Sequence, residues 1–248
     1  MPPAVPGRGT ATPEMLDSAP PLTLSVVIPV YNEKDTIGTI LERVRAVDLT
    51  LEVIVVDDGS TDGTREILQS LESGIDRLIL LDRNQGKGAA VKAGFAAATS
   101  DVVVIQDADL EYDPRDFPDL IGPIRTAGAD LVFGSRMNGA KPQRAYYFWH
   151  YAGNWLITSI TRVLYNTTLS DIYTCYKMIR REHLIGLKLS SDGFEFDAEL
   201  VAKLLKRNLV VFEVPIAYYG RSYEQGKKIR WYHTGRVIWN LLKYRIVA

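Results

Sequence analysis

A single cysteine, Cys175, stands among 248 residues. It has no partner for an intrachain disulfide and points to a reducing compartment. Histidine is nearly as scarce: His150, His183 and His233 lie far apart and, with one cysteine, form no zinc-ligand pattern. They read as structural or surface residues. No uncharged apolar run reaches ~18 residues, so no segment reads as a membrane-spanning helix. A surplus of one charge is also missing. The 29 Lys and Arg against 30 Asp and Glu leave a net charge of −1, which argues against a dedicated nucleic-acid binder. Internal repeats and an interdomain linker are absent as well. Residues 1–21, rich in Pro, Ala, Gly and Thr, lack the apolar core of a signal peptide and read as a disordered tail.

What the chain does have is rhythm. Leu24-Ser25-Val26-Val27-Ile28-Pro29-Val30 predicts a first strand, and Ile37, Ile40, Leu41, Val44 and Val47 recur at helical spacing after it. A second strand follows at residues 51–56 and a loop at 57–63, in which Asp62 is a candidate helix cap. Ile67, Leu68 and Leu71 mark the next helix. A third strand at 78–81, a small-residue helix at 88–98, a fourth strand at 102–105 and a fifth at 130–134 complete the series. This alternation predicts an α/β fold, a mostly parallel central sheet with helices on both faces. Beyond Arg136 come a polar loop at 139–144, an aromatic helix at 149–165, a helix at 194–205 and a strand at 209–214.

Chemistry gathers where the strands end. The first ends in Pro29-Val30-Tyr31-Asn32-Glu33, the second in Asp57-Asp58-Gly59-Ser60, and the fourth in Asp107-Ala108-Asp109. In open α/β sheets this edge is where ligands bind. Tyr31 can stack on a base, and Asp57 can accept hydrogen bonds from a base or ribose. A turn after the fourth strand lets Asp107 and Asp109 converge on Mg²⁺ or Mn²⁺, which bridges to a substrate diphosphate. Asn84-Gln85-Gly86-Lys87-Gly88 fails as a phosphate loop, with leucine at 81 and glycine at 88 where a Walker loop needs glycine and Ser or Thr. A dinucleotide fingerprint fails at Val91. These glycines read as packing of a turn against a helix.

These motifs together resemble the family 2 glycosyltransferases of GT-A fold, and within them the dolichyl-phosphate mannose synthase branch. The resemblance runs from about Leu24 to about Arg245. It rests on Val27-Ile28-Pro29-Val30-Tyr31-Asn32-Glu33, Val55-Val56-Asp57-Asp58-Gly59-Ser60-Thr61-Asp62-Gly63-Thr64, Asn84-Gln85-Gly86-Lys87-Gly88, Gln106-Asp107-Ala108-Asp109-Leu110-Glu111, Gly134-Ser135-Arg136, and Arg221 with Lys227. It implies that Pro29, Tyr31, Glu33, Val55 and Asp57 line the nucleotide pocket, and that Asp107, Ala108 and Asp109 contact the diphosphate and metal. Glu111 stands where related synthases carry a glutamine metal ligand. Arg136, Arg221 and Lys227 are expected to face the donor phosphates, where guanidinium forks suit phosphate oxygens. Residues 218–228 read as a flap closing over the diphosphate.

The resemblance implies a metal-dependent hexosyltransferase moving a sugar from a nucleotide-diphosphate donor of GDP-mannose or UDP-glucose type to a polyprenyl phosphate. Such an acceptor is already anionic, so catalysis reduces to positioning and electrostatic stabilisation of the leaving diphosphate, with inversion at the anomeric carbon. Arg144 is the candidate for the acceptor phosphate. A glycan or small-molecule hydroxyl acceptor would instead need a base, with Asp171, Glu195 and Asp197 as candidates. A non-catalytic nucleotide-sugar-binding subunit is the alternative of another class. Residues 22–228 form the expected catalytic domain. Residues 229–248 form an amphipathic helix with Val237, Ile238, Leu241 and Leu242 on one face and Arg236, Asn240 and Lys243 on another. That helix suits either core packing or an anionic membrane surface. The expectation is a cytoplasmic protein peripheral on the cytoplasmic membrane face, with a small membrane-anchoring subunit as a possible partner and no nucleic acid.

Overall fold

The computed structural model describes residues 22–137, 139–144, 148–221 and 233–246. Seven strands form one sheet: β1 (Leu24–Val30), β2 (Leu51–Asp57), β3 (Arg77–Leu80), β4 (Val102–Ile105), β5 (Leu131–Ser135), β6 (Lys177–Arg180) and β7 (Val211–Pro215). Their order is β3-β2-β1-β4-β6-β5-β7. Every neighbouring pair is parallel except β4–β6 and β6–β5. Because β6 runs against both neighbours, β5 and β7 regain the direction of β4. The carboxyl ends of six strands therefore share one edge.

The sheet is apolar on both faces because it is covered on both. Val26, Ile28, Val53, Val55, Val102 and Val104 pack with Ile37, Ile40 and Val44 of α1 (Ile37–Arg45), Leu68 of α2 (Thr64–Ser70), and Phe117, Leu120 and Ile124 of α4 (Phe117–Thr126). Val27, Ile54, Val56 and Val103, the alternate positions, pack against Ala90 of α3 (Lys87–Ala97). Gly94 permits that approach: a Cβ there would sit 2.2 Å from Val27 Cγ1.

The three remaining helices are α5 (Phe148–Tyr165), α6 (Phe196–Leu205) and α7 (His233–Ile246). Helix α7 joins the main core through Val237, Leu241 and Tyr244, each such burial contributing about 1.5–3 kcal/mol. Tyr165 Oη of α5 donates to the Leu241 carbonyl at 2.7 Å, and Lys206 Nζ, just past α6, donates to the Tyr244 carbonyl at 3.1 Å. The described part of the 229–248 segment is thus packed into the domain rather than separate from it. Asn240, expected on the wet face, is buried there and donates toward Ser191 Oγ and the Glu195 carbonyl. Leu242, expected on the packed face, is exposed beside Trp239 and Ile246.

Candidate functional site

Strand ends and one glycine-bracketed helix build the site. Asp58, just past β2, accepts from the Gln85 and Gly86 amides at 2.7 and 2.9 Å, so both its oxygens hold the loop before α3. Burial raises its pKa, against those two hydrogen bonds. Gly86 has φ +102°, and a Cβ on it would lie 2.4 Å from the Asp192 carbonyl oxygen. A Cβ on Gly88 would meet Phe196 Cβ and the Ser191 carbonyl oxygen at 2.7 Å. The two glycines press this loop against residues 191–193, and Lys87 between them opens α3.

Lys87 reaches across to Asp107, with Nζ 2.7 Å from Oδ1. Burial opposes the ammonium charge, but Asp107, together with Cys175 and Asp197, outweighs it and holds the Lys87 pKa above its ordinary value. Burial likewise opposes the Asp107 charge, and Lys87 pulls its pKa down. Sequence reasoning read this loop as packing alone. The isolated lysine in Gly86-Lys87-Gly88 was the signal available.

The expected ligand set of Asp107, Asp109 and Glu111 does not converge. Asp107 gives one oxygen to Lys87. Glu111 gives both: Oε2 accepts from Tyr218 Oη at 2.6 Å and Oε1 from the Arg221 amide at 2.7 Å. Glu111 is therefore the tie that fastens residues 218–221, helped by the Tyr219 amide on the Glu111 carbonyl and a bridge between Tyr112 and Tyr218. Among the described residues, Asp109 has neither oxygen in a close ion pair. Its Oδ1 accepts from the Glu111 amide at 3.2 Å, and Oδ2 lies 3.7 Å from Arg221 Nη2. One carboxylate oxygen beside a diphosphate fits Mg²⁺ or Mn²⁺, which take one or two protein carboxylates and complete their shell with phosphate and water. Among the described residues the one set of three groups close enough to share an ion is Asp130, Glu182 and His183. It lies at the amino end of β5, across the sheet from this edge.

Arg221 also bonds Glu33, Nη2 to Oε2 at 2.9 Å, and its Nε donates to the Asp109 carbonyl at 2.9 Å. Glu33 and Asp109 thus meet at one guanidinium, while Glu111 holds the backbone amide of the same residue. Lys227, the other expected flap cation, lies outside the described residues.

Arg136 is not free for phosphate. Its Nε and Nη2 form a fork on Asp171 at 2.6 and 2.9 Å, its amide donates to the same carboxylate, and its guanidinium lies 5.1 Å over the Tyr218 ring. Asn154 of α5 donates to Asp171 at 3.0 Å. Burial opposes the Asp171 charge, yet Arg136 holds its pKa below the usual carboxylate value. Asp171 is therefore a poor base, and Arg136 a buried strut between β5 and α5. Asp197 lies 3.1 Å from the fully buried Lys177 Nζ. Its charge reaches Tyr173, whose pKa burial and Asp197 both raise. Glu195 lies just before α6, outside every described ion pair.

Three donor-site expectations change in detail, Val55 and Asp57 for the nucleotide pocket and Ala108 for the diphosphate. Val55 is fully enclosed in the core, because central β2 is covered on both faces, so its side chain cannot line a rim. Ala108 is also buried. Asp57 has no exposed surface: Arg65 Nε and Nη2 clamp its Oδ2 at 2.9 and 2.6 Å, and the Ser60 amide approaches both oxygens at 3.3 Å. Arg65 is a neighbour the sequence reading missed. Pro29 and Tyr31 stay partly exposed at the β1 end. Asn32 takes φ +52°, and its Oδ1 accepts from the Thr61 amide at 2.9 Å, tying the first two strand ends together. Asp62, the expected cap, stands one position too early: Gly63 is the N-cap of α2, and Asp62 accepts from the Thr64 amide at 3.0 Å from just outside the helix. Arg144 is exposed, with Nη1 on the Gly220 carbonyl at 2.8 Å, beside the segment that carries Arg221.

The family model of glycosyl transferase family 2 matches residues 25–187, from Ser25 of β1 through β6, a range that holds Glu33, Lys87, Asp107, Asp109 and Glu111. The chain belongs to glycosyl transferase family 2. Its sheet has the GT-A arrangement of its solved neighbours. The low-salt glycan biosynthesis hexosyltransferase Agl6 of Haloferax volcanii is 32% identical over 212 residues, covering 84% of this chain and 50% of Agl6. The dodecaprenyl-phosphate galacturonate synthase of Rhizobium johnstonii is 30% identical over 229 residues, covering 90% of this chain and 65% of that protein. This family 2 chain spans about half to two thirds of the curated relatives it matches. Glucosyl-3-phosphoglycerate synthase of Mycobacterium tuberculosis, solved with Mn²⁺, UDP-glucose and phosphoglyceric acid, aligns with TM-score 0.68 and 26% identity over 90% of this chain and 80% of its own.

Proposed function

We propose that this family 2 chain is an inverting, metal-dependent glycosyltransferase that moves a sugar from a nucleotide-diphosphate donor to a polyprenyl phosphate. The observation that carries this reading is the rim itself: Glu33 after β1, Asp107 and Asp109 after β4, Lys87 opening α3 and Arg221 all meet at one sheet edge through charged contacts. A relative that is a dodecaprenyl-phosphate galacturonate synthase supports the acceptor class, and the solved neighbour with Mn²⁺ and UDP-glucose supports the donor class.

Tyr31 and Arg65, the latter held by the enclosed Asp57, would flank the nucleoside, while Asp107, held by Lys87, would face the sugar-bearing side. Asp109 would hold Mg²⁺ or Mn²⁺, which supplies Lewis-acid stabilisation of the leaving diphosphate. An oxygen of the acceptor phosphate attacks the anomeric carbon as the bond from that carbon to the diphosphate oxygen breaks. The nucleoside diphosphate leaves with the electron pair. No proton moves, so no base is required, and Arg221, with Arg144 and Lys227, offsets the two anions.

The acceptor reaches this rim from a membrane. No helix among the described residues is long and apolar enough to cross one. Helix α5 instead exposes Phe148, Trp149, Trp155, Leu156 and Val163, and the adjoining α7 exposes Trp239, Leu242 and Ile246. Large rings on paired helices, with Lys243 and Arg245 exposed beside them, suit an anionic lipid surface. The cytoplasmic face and a small anchoring subunit belong to the same reading.

A paired-acceptor assay tests it. Purified protein is given a panel of GDP- and UDP-sugars with either a short polyprenyl phosphate or the matching polyprenol. Glycolipid forms from the phosphate alone, with the anomeric configuration inverted. Product from the polyprenol, lost in Asp197→Asn, would move the function to hydroxyl acceptors; donor binding with no product from either would leave a binding subunit.

A further inference from the structure

Arg221 occupies the place where a cation is wanted. Its guanidinium bridges Glu33 Oε2 and the Asp109 carbonyl, both at 2.9 Å, and stands 3.7 Å from Asp109 Oδ2. The contact is sheltered: Arg221, Glu33 and Asp109 side chains keep 17%, 10% and 27% of their surface in water. Its own amide is fixed by Glu111, which Tyr218 fixes in turn. Asp109 Oδ2 is the carboxylate oxygen that faces this guanidinium, while Asp107 gives Oδ1 to Lys87 and Glu111 gives both oxygens to Tyr218 and the Arg221 amide. A divalent ion on that oxygen would sit within a few ångströms of the guanidinium, where two cations repel strongly in a poorly solvated site.

We propose, resting on the donor reading above, that Glu33 is a positioning residue that parks Arg221 over Asp109 in the unliganded site. The site then takes up its donor as a divalent ion already paired with the diphosphate. The ion takes Asp109 Oδ2, and the guanidinium passes from Glu33 to a diphosphate oxygen. Each partner supplies the charge the other displaces: the diphosphate replaces the carboxylates around Arg221, and the ion replaces Arg221 on Asp109. Free metal alone meets a site already holding its own cation, and a diphosphate without metal meets the carboxylates of Glu33, Asp109 and Glu111.

The test is Mn²⁺ binding read from the spectrum of free Mn²⁺ by electron paramagnetic resonance, with no sugar acceptor present. Without nucleotide, wild type and Arg221→Lys bind Mn²⁺ weakly, and Arg221→Gln binds it about tenfold tighter or more, since the resident cation is gone. Adding UDP to wild type tightens Mn²⁺ by about tenfold or more, and this coupling shrinks in Arg221→Gln. Arg221→Gln that melts like wild type yet binds Mn²⁺ no tighter overturns the proposal. If that variant does not fold, wild type decides: Mn²⁺ affinity indifferent to UDP overturns it equally. Coupling intact in a protein that transfers no sugar would remove the transferase reading and leave the exchange standing.

Discussion

Lys87 holds Asp107 on the side where the donor is proposed to bind. Its ammonium is the partner of Asp107, so Lys87→Met leaves a partly buried carboxylate without its counter-charge. Breaking a fully buried pair from one side costs about 3–5 kcal/mol, and this partly exposed one costs less. The expected outcome is a melting temperature several degrees lower and product formation reduced about a hundredfold, with Lys87→Arg retaining part of both. Thermal melts and initial rates on the same preparations check it; a Lys87→Met enzyme as active as wild type would place Asp107 outside the site. The structure brings together Glu33, Asp109 and Arg221, three residues named from the sequence. Partnership was not legible there. Asp57 and Arg136 read as free groups facing a ligand, yet each is closed by a partner, Arg65 eight residues on and Asp171 thirty-five residues on. Periodicity carries no record of such pairings, which arise only when strand ends and loops meet.

At the scale of elements, the parallel half of the sheet was legible because each strand is an apolar run with a helix after it. β6 was not. Lys177-Met178-Ile179-Arg180 is four residues with a charge at each end, and its lysine is buried only because Asp197 and the Thr174 carbonyl receive it. That short strand alone makes the sheet mixed. The amphipathic pattern of α7 was legible but its orientation was off by part of a turn. Asn240 has hydrogen-bond partners inside, and Leu242 is exposed. The outward face carries a prediction. Trp239→Glu, at a side chain 66% exposed, leaves the melting temperature unchanged and lowers co-sedimentation with anionic vesicles several-fold. Val163→Glu on α5 does the same. Vesicle binding equal to wild type in both would take the membrane away from this face.

For the whole molecule, one buried carboxylate links the C-terminal helices to the site. Glu199 of α6 has no exposed side-chain surface and accepts from Lys203 Nζ at 2.6 Å and from the Ser190 and Ser191 amides, next to the 191–193 turn that seats Gly86 and Gly88. Ser190 Oγ also shares a hydrogen bond with Tyr244 Oη of α7 at 2.8 Å. Burial opposes the Glu199 charge, but Lys203 and the amides outweigh it and hold its pKa at about 2, down from an ordinary 4.5. A depressed carboxyl pKa stabilises the fold above the unfolded value and loses that contribution as pH falls through the folded one. Unfolding free energy is therefore expected to fall between about pH 4.5 and 2, and Asp107 and Asp171, also depressed, add to the loss below 3.8. Glu199→Gln removes about 3 kcal/mol near neutrality and flattens its share of the acid limb. Urea unfolding from pH 7 to 2.5 measures both; an unchanged acid limb in the variant would assign the acid sensitivity elsewhere.

The central claim is that this rim grips an activated sugar through a divalent ion on Asp109. Transfer from a nucleotide sugar to a short polyprenyl phosphate, followed by mass spectrometry of the lipid product with and without a chelator, tests it most directly. Wild type should form product in Mg²⁺ or Mn²⁺ and lose it in chelator, with recovery on restoring the ion, while Asp109→Asn stays at least a hundredfold down in either condition. Product undiminished by the chelator, or an Asp109→Asn enzyme as fast as wild type, would contradict it.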